Sequence, residues 1–370
     1  MFHTPNLTGI RKSIVPRRVN EGWGLQHMKL YGVDDDLILS GANLSNDYFT
    51  NRQDRYHIFS CPHITDYFAR IHHAVCKLSF SILPPSKSED RAAGYKMIWP
   101  SDNPSPSPLK NPNAFKEQAT TTFGSLMHLS SLAPKEDAKS STLVYPLFQF
   151  TPILTTDTST ELPALRKLLS LLATPAWTGS RWTFTAGYFN TTPEIRRLLL
   201  RSALNCNTGT IITASPWANG FYKSAGVSGM LPDGYTYLSK RFLQAVSRRG
   251  LNDYITLKEW RHGTVNEPGG WTYHAKGIWV TLPGEQHIGP SVSVVGSSNY
   301  TKRAYGLDLE ANVAIVTRDE GLMKRLGREE QWLQEYATSM SQSDYDKPER
   351  KVRWQVRAAM WIVALLGGAL

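Results

Sequence analysis

The chain has 370 residues, of which 41% are hydrophobic and 11% aromatic, enough for a sizeable core and two or three domains. Lys and Arg outnumber Asp and Glu by 41 to 31, which favours an anionic partner, although many organelle proteins are simply basic. Cys61, Cys76 and Cys206 lack metal-ligand spacing, so we expect free thiols and no zinc site. No run reaches the roughly 18 apolar residues of a membrane span, and the first residues lack the apolar stretch of a secretory signal.

The first clear pattern is a β-hairpin followed by a helix. Alternating apolar residues flank the acidic turn at 34–36, as strands joined by a tight turn require. Apolar residues then recur at helical spacing from Ile64 to Leu78. Residues 81–141 follow, with four prolines between 104 and 112 and few large apolar side chains, so we expect a Pro/Ser-rich surface insertion or linker.

Strands and helices alternate from Thr142 to about residue 340, which predicts an α/β domain with a mixed sheet. Within it, Thr192 and Pro193 have the residue types of a helix N-cap and first turn. The last segment, 341–370, is basic and then uncharged after Arg357. We expect it either to lie in a membrane interface or to dock on the core as a helix.

An internal repeat carries the chemistry. The first copy has a His-x-Lys, a Gly-x-Asn and a carboxylate, and the second has the same series with one more residue in the turn. In both copies the carboxylate lies eleven residues after the Asn. One His-x-Lys is a weak signal, but two with matched followers are strong. The candidate catalytic residues are His27, Lys29, Asn43 and Asp54 in the first copy and His274, Lys276, Asn299 and Glu310 in the second.

The spacing suits chemistry at a phosphorus atom. Residues i and i+2 of a strand share a face, so each His projects with its Lys. Two copies facing each other would surround one phosphate with imidazoles, ammonium groups and amides. One imidazole can attack phosphorus while the other moves a proton. Asp54 and Glu310 would each hold an imidazole in one tautomer.

At these residues the chain resembles the phospholipase D superfamily, because HMKLYGVD has the form His-x-Lys-x4-Asp. Asp34 fills the last position of that signature and is a further catalytic candidate, although it also suits a turn. The second copy has Thr281 there. The segments TAGYFN, ASPWANGF, GWTYHAKGIWV and GSSNYTKRAYGLDLEANVAIVT resemble eukaryotic mitochondrial phosphatidylglycerophosphate synthases.

The resemblance implies two pseudo-symmetric mixed-sheet domains flanked by helices. Residues 1–80 would be the C-terminal part of the first domain and 142–340 the second. The second His-x-Lys follows about 130 residues of strand and helix, whereas the first follows only 26 residues. We therefore expect the first domain to be N-terminally incomplete, a mitochondrial transit peptide to be absent, and stability to be low unless a partner chain covers the exposed sheet edges.

The resemblance also implies a reaction: transfer of a phosphatidyl group from CDP-diacylglycerol to glycerol 3-phosphate, with release of CMP and without a metal or other cofactor. His27 would be the nucleophile and His274 the acid/base. The expected location is the matrix side of the mitochondrial inner membrane, in peripheral contact with anionic lipid. Candidate substrate-binding residues in family-like segments are Arg52, Arg55, Tyr188, Asn190, Trp217, Lys302 and Arg303. Ordinary surface charge is the simpler explanation for each of the four cations, and core packing explains the two aromatic residues equally well.

Three alternatives remain open at this stage. The chain could be a superfamily phosphodiesterase or nuclease that uses water, a serine-accepting phosphatidyltransferase, or an inactive lipid-binding fragment. A nucleic-acid groove should show cations interleaved with stacking aromatics, and the sequence has no such stripe, so we expect no nucleic-acid partner.

Overall fold

The first repeat forms a three-stranded antiparallel sheet. The structure is a computed structural model that describes residues 2, 24–85, 94–127, 140–205 and 207–365, with side chains described as far as 361. Strands β1 (Leu30–Val33) and β2 (Asp36–Ser40) form the predicted hairpin, and β4 (Tyr56–Ser60) adds to the other edge of β2. A short helix α1 (Asn46–Thr50) and strand β3 (Arg52–Gln53) lie between β2 and β4.

One helix covers the inner face of this sheet, and a second helix packs beside the first. Helix α2 (Pro62–Lys77) is the amphipathic helix that the sequence predicts, and it is followed by the small hairpin of β5 (Ser81–Leu83) and β6 (Lys96–Ile98). Helix α3 (Pro112–Met127) packs beside α2 and buries Phe115 and Phe123 completely. Residues 112–127 are therefore a packed helix, while the assignment of 81–141 as an insertion or linker stays a prediction. Four apolar side chains spaced four residues apart are enough to fix one helix face on a core, even in a Pro- and Ser-rich stretch.

An eight-stranded mixed sheet forms the second half. The strands are β7 (Thr142–Gln149), β8 (Arg181–Ala186), β9 (Thr208–Ala214), β10 (Ile255–Trp260), β12 (Lys276–Thr281), β13 (Val292–Gly296), β14 (Glu310–Thr317) and β15 (Ala337–Ser339). Their spatial order is β15-β10-β9-β8-β12-β13-β14-β7, with parallel pairing from β10 through β9 to β8 and antiparallel pairing elsewhere.

Helices lie on both faces of this sheet, so its central strands are buried on both sides. Every residue of β12 and β13 is buried, as expected for near-continuous apolar runs. The helices are α4 (Glu161–Leu171), α5 (Pro193–Ser202), α6 (Leu231–Ser247), α7 (Lys302–Gly306), α8 (Glu320–Trp332) and α9 (Trp354–Leu365). Thr192 caps α5 as predicted, accepting a hydrogen bond from the Ile195 amide. The predicted α/β class is confirmed.

The two halves share apolar packing. One cluster joins Leu37 and Leu39 of β2 and Phe68 of α2 to Ala311 and Val313 of β14. The domain boundaries and the incompleteness of the first domain stay predictions. Cys61 and Cys76 are free thiols, and Cys206 lies outside the described residues. Over the part of the chain that the structure describes, every helix is too short or too polar to cross a membrane.

Candidate active site

Two short parallel pairings bring the repeats together. Strand β3 of the first repeat lies parallel to β11 (Thr272–Tyr273), so Asp54 and His274 emerge side by side. The segment before His27 pairs in the same way with the segment before Glu310, through the Gln26–Leu309 bridge. Each histidine therefore leaves the backbone next to the carboxylate of the opposite repeat.

The side chains complete this exchange. The Nδ1 atom of His274 is 2.7 Å from Oδ2 of Asp54, and Nδ1 of His27 is 3.0 Å from both carboxylate oxygens of Glu310. Both carboxylates are buried, and Ser297 Oγ also donates to Glu310. An Nδ1–H donated to a carboxylate leaves Nε2 as the basic, nucleophilic nitrogen of each ring.

The two lysines are held alike. Nζ of Lys29 donates to the His27 carbonyl at 2.6 Å, and Nζ of Lys276 donates to the His274 carbonyl at 2.8 Å. Nζ of Lys276 also lies 2.7 Å from His274 Nδ1, but that nitrogen's proton is donated to Asp54, so we assign the ammonium to the carbonyl. Gly41 leaves room for this ammonium, because a Cβ there would lie 2.9 Å from Lys276 Nζ.

Burial sets the charge of these groups. It lowers the pKa of His274 to about 3, helped by the Lys276 cation, and it lowers the pKa of His27 against the opposing effect of Glu310. It also lowers the pKa of Lys29 to about 7 and that of Lys276 to about 8. At neutral pH both imidazoles are therefore uncharged and able to act as nucleophile or base.

The carboxylates stay ionised. Burial alone would raise the pKa of Asp54 and of Glu310. At Asp54 the Lys276 cation and the hydrogen bond with His274 outweigh burial, and at Glu310 the hydrogen bond with His27 and the Lys29 charge do so. Lys276 also lowers the pKa of Lys29, which shows that the charges of the two repeats act on one another across a single site.

The sequence also nominated two asparagines and Asp34. Asn43 is exposed after β2, whereas Asn299 is half-buried, and its Oδ1 has no hydrogen-bond partner among the described residues. Asp34 does not fit a catalytic role. It is exposed at the tip of the hairpin, and the four residues of β1 separate it from Lys29. Its φ of 50° lies in the left-handed region, which Asp tolerates well, so the tight turn accounts for an Asp at this position.

The predicted substrate-binding residues separate into two groups. The Tyr188 ring packs edge-on to His274, with centroids 5.6 Å apart, and Arg52 lies over the Tyr48 ring while pairing with Asp47. Arg303 pairs with Asp308, and its charge acts on Tyr235. Lys302 is exposed at the start of α7, and Asn190 is half-buried after β8.

Arg55 and Trp217 do not fit substrate binding. Arg55 is buried, and its guanidinium donates to Glu329, Ser293 and the carbonyls of Lys276 and Val294. Through these hydrogen bonds Arg55 links α8 to the sheet. The sequence alone could not predict this, because these partners lie 221 or more residues further along the chain. Trp217 instead stacks against Arg261 and Arg350.

Sequence reasoning missed two groups at the site. The Tyr48 hydroxyl lies 3.5 Å from Nε2 of His274, and nothing in the pattern around residue 48 marks it as a site residue. Glu161 is completely buried behind the second repeat, where it accepts a hydrogen bond from Asn312. Burial and the Glu310 charge raise its pKa to about 8. In the sequence it is simply an acidic residue at the start of a helix, which is common there, so nothing marked it as a site residue.

Within the described ranges, no three His, Cys, Asp or Glu side chains are grouped to hold an ion.

Comparison with known proteins identifies the family. No family model matches the chain. The CDP-diacylglycerol–glycerol-3-phosphate 3-phosphatidyltransferase of Saccharomyces cerevisiae is 45% identical over 98% of this chain and 70% of its own length. The Schizosaccharomyces pombe protein of that name is 38% identical over 94% and 73%, and the human mitochondrial one 33% identical over 96% and 64%.

A solved structure supports the fold. The phosphatidylserine synthase of Haemophilus influenzae superposes with a TM-score of 0.66 over 94% of this chain and 70% of its own, at 18% identity. At that identity the likeness concerns the fold alone. The sequence relatives, in contrast, determine the family: this chain belongs to the CDP-diacylglycerol–glycerol-3-phosphate 3-phosphatidyltransferases.

Proposed function

We propose that the chain transfers the phosphatidyl group of CDP-diacylglycerol to glycerol 3-phosphate and releases CMP, the reaction that its relatives' name describes. The observation that supports this best is the exchanged pairing of the two histidines. Each imidazole is held through Nδ1 by the carboxylate of the other repeat, which leaves two Nε2 atoms for one phosphorus. A double displacement needs such a pair, one to bond to phosphorus and one to move the acceptor's proton.

In the first step, Nε2 of His27 attacks the phosphorus that carries diacylglycerol. A P–N bond forms and the P–O bond to CMP breaks, with the electron pair leaving on CMP. A phosphate leaving group has a second pKa near 6, so it needs little acid assistance. We assign the nucleophile to His27 because its side chain is 16% exposed, against 7% for His274.

In the second step, the hydroxyl of glycerol 3-phosphate gives its proton to Nε2 of His274 and attacks the phosphatidyl-histidine. The new P–O bond forms, the P–N bond breaks, and phosphatidylglycerophosphate leaves. Lys29 and Lys276, with the amides of Asn43 and Asn299, stabilise charge on the phosphoryl oxygens. Arg52, Lys302 and Arg303 are the candidate partners of the acceptor's own phosphate.

The lipid donor requires a membrane, and α9 has the character of an interfacial helix. Trp354 and Trp361 are 72% and 66% exposed and lie seven residues, two helical turns, apart on one face. Arg353 precedes the first tryptophan and Arg357 lies between the two, as expected of a helix that lies on anionic lipid. We place the protein in mitochondria, by analogy with its mitochondrial relatives, and propose peripheral contact with the matrix side of the inner membrane.

Vesicle binding tests the membrane contact. Replacing both Trp354 and Trp361 with Ser should reduce co-sedimentation with cardiolipin-containing vesicles at least tenfold, since two interfacial aromatic side chains are lost. Trp332→Ser, which changes a 56% exposed tryptophan on α8, is the matched control and should leave binding unchanged. Equal binding by all variants would contradict the assignment of α9.

Acceptor-dependent CMP release tests the reaction. CDP-diacylglycerol in detergent micelles is offered with glycerol 3-phosphate, with serine, or with water alone. We expect continued turnover with glycerol 3-phosphate only. His27→Ala should release no CMP, and His274→Ala should release at most one CMP per chain. Preference for serine or water would favour the alternative transferase or phosphodiesterase. Absence of release from folded protein would favour the inactive lipid-binding fragment.

A further inference from the structure

An apolar pocket lies between α6 and α9. The turn at 226–230 closes one side. The cavity volume is about 50 Å3, below the ~300–1,000 Å3 of pockets that enclose a whole ligand, so it is an apolar groove with room for part of a hydrocarbon chain. Its walls are almost entirely apolar and include Val227, Leu231, Gly234, Tyr235, Leu238 and Met360. Such a lining favours a hydrocarbon ligand over a polar one.

The pocket reaches towards the catalytic histidines. Tyr235, one of its walls, packs on Tyr188 with ring centroids 5.4 Å apart. Tyr188 in turn packs edge-on to His274 at 5.6 Å. Two ring contacts therefore separate the pocket lining from an imidazole of the reaction site, with Phe221 packed on the same aromatic row.

The parts of the substrates differ sharply in polarity. Glycerol 3-phosphate and the nucleotide carry charge and hydroxyl groups, and they suit the site lined by Lys, Arg and Asn. The diacylglycerol half carries long hydrocarbon chains that begin a few bonds from the reacting phosphorus. Only these chains match an apolar pocket at this short distance from His274.

One face of helix α9 lines the pocket, and another face is exposed. Val356, Ala359 and Met360 line the pocket, whereas Trp354 and Trp361 are exposed. An acyl chain drawn from a membrane on the exposed side would pass along this helix to reach the site. Met230 and Met360 are flexible enough to adapt to chains of different shape.

We propose that the pocket between α6 and α9 binds an acyl chain of the lipid donor while its phosphorus lies between His27 and His274. The inference rests on the proposed function, since it takes the donor to be CDP-diacylglycerol. It adds a binding site and gives α9 a role in holding substrate.

Filling the pocket tests the proposal. A Cβ on Gly234 would meet Met360 Sδ at 3.5 Å, an ordinary contact, so Gly234→Leu places its side chain in the pocket without a backbone clash. The KM for dioleoyl donor should rise at least tenfold, because several buried methylenes are lost. The KM values for dihexanoyl donor and for glycerol 3-phosphate should stay within twofold. Gly124→Leu, at a helical glycine of α3 with nothing within 4 Å, is the matched control.

A photoreactive donor locates the chain directly. CDP-diacylglycerol with a diazirine at the end of an acyl chain should label peptides containing 227–238 and 354–360, and excess dioleoyl donor should suppress the labelling. Labelling only elsewhere, or a Gly234→Leu effect equal for both chain lengths, would overturn the pocket assignment while CMP release continued. Correct labelling without CMP release would sustain the pocket and reject the proposed reaction.

Discussion

The Nδ1 atom of His27 lies 3.0 Å from the carboxylate of Glu310, which is 283 residues further along the chain. The same exchange joins His274 to Asp54 over 220 residues. Because each histidine is paired with a carboxylate of the opposite repeat, neither repeat alone could form the proposed catalytic site. The short parallel pairings of β3 with β11 and of Gln26 with Leu309 enforce this arrangement at the backbone.

Removing a carboxylate charge should disable the histidine of the other repeat. Glu310→Gln should lower kcat by roughly 10²–10⁴-fold, because the amide no longer fixes the productive tautomer of His27. Asp54→Asn should do the same through His274. The double variant of His27→Ala with Glu310→Gln should be little worse than His27→Ala alone, since the pair acts as one unit. Steady-state kinetics measures each loss.

Asp34→Asn is the control for these substitutions. It also exchanges a carboxylate for an amide, but at the exposed hairpin turn, where Asn tolerates positive φ. Its kcat should match wild type. A large loss in Asp34→Asn, or full additivity of the His27 and Glu310 substitutions, would contradict the exchanged pairing.

The pH profile should be limited on the alkaline side by lysine. Burial lowers the pKa of Lys29 to about 7 and of Lys276 to about 8, and a lysine loses its cation as pH rises through its pKa. If both cations hold the phosphoryl group, kcat/KM should fall as pH rises through 7–8. Bound phosphate favours the charged lysines, so the limb for kcat should lie at higher pH. A kcat/KM that is flat to pH 9.5 would contradict this role.

Arg52 and Arg55 should behave differently although they are close in sequence. Arg55→Ala removes the guanidinium that pairs with Glu329, leaving that carboxylate only its contacts with His57 and Trp279, and should lower the free energy of unfolding by about 3–5 kcal/mol. Arg52→Ala should change stability little and raise the KM for glycerol 3-phosphate at least tenfold, if Arg52 binds its phosphate. Urea denaturation and acceptor titrations separate the two. A normal KM in Arg52→Ala would reject its assignment.

Glu161→Gln should become relatively more stable as pH rises. Burial raises the pKa of Glu161 from 4.5 to about 8, so the folded chain holds a proton that the unfolded chain releases above pH 4.5. Wild-type stability therefore falls as pH rises from 4.5 to 8, by up to ~1.4 kcal/mol per pH unit from this group, while Gln does not titrate. Urea unfolding at pH 5.5 and 8 measures the difference. Glu194→Gln, at a part-exposed pair with Arg166, is the control, and parallel curves for Glu161→Gln and wild type would contradict the assignment.

The elements that follow periodicity could be predicted from the sequence. The hairpin of β1 and β2, helix α2 and the strands of the large sheet follow from alternation and helical spacing. The matched repeat identified both His-Lys pairs and both carboxylates. It could not say which carboxylate pairs with which histidine. That depends on the two-residue pairing of β3 with β11 and on the single bridge between Gln26 and Leu309, and both are decided by tertiary structure.

Burial accounts for the remaining differences. Helix α3 is fixed by Phe115 and Phe123 against Phe68, Phe148 and Phe150, partners that lie far away in the sequence. Arg55 is of a residue type that often binds phosphate. Because Gly277 has no side chain, however, the guanidinium reaches the backbone of β12, where its donors form hydrogen bonds within the protein. The local sequence pattern predicts which face of a helix or strand a residue lies on. The hydrogen-bond partner of a buried polar side chain depends instead on the complete tertiary structure.

Direct observation of the covalent intermediate tests the central claim. The protein is mixed with CDP-diacylglycerol that carries a label in its lipid part. The reaction is quenched without acid to preserve phosphohistidine, and the peptides are analysed by mass spectrometry. We predict a burst of one CMP per chain and a phosphatidyl group on the peptide containing His27. In His274→Ala the adduct should accumulate even with glycerol 3-phosphate present, and in His27→Ala it should be absent. Turnover by wild type with no adduct on either histidine, under conditions that preserve phosphohistidine, would contradict the double displacement.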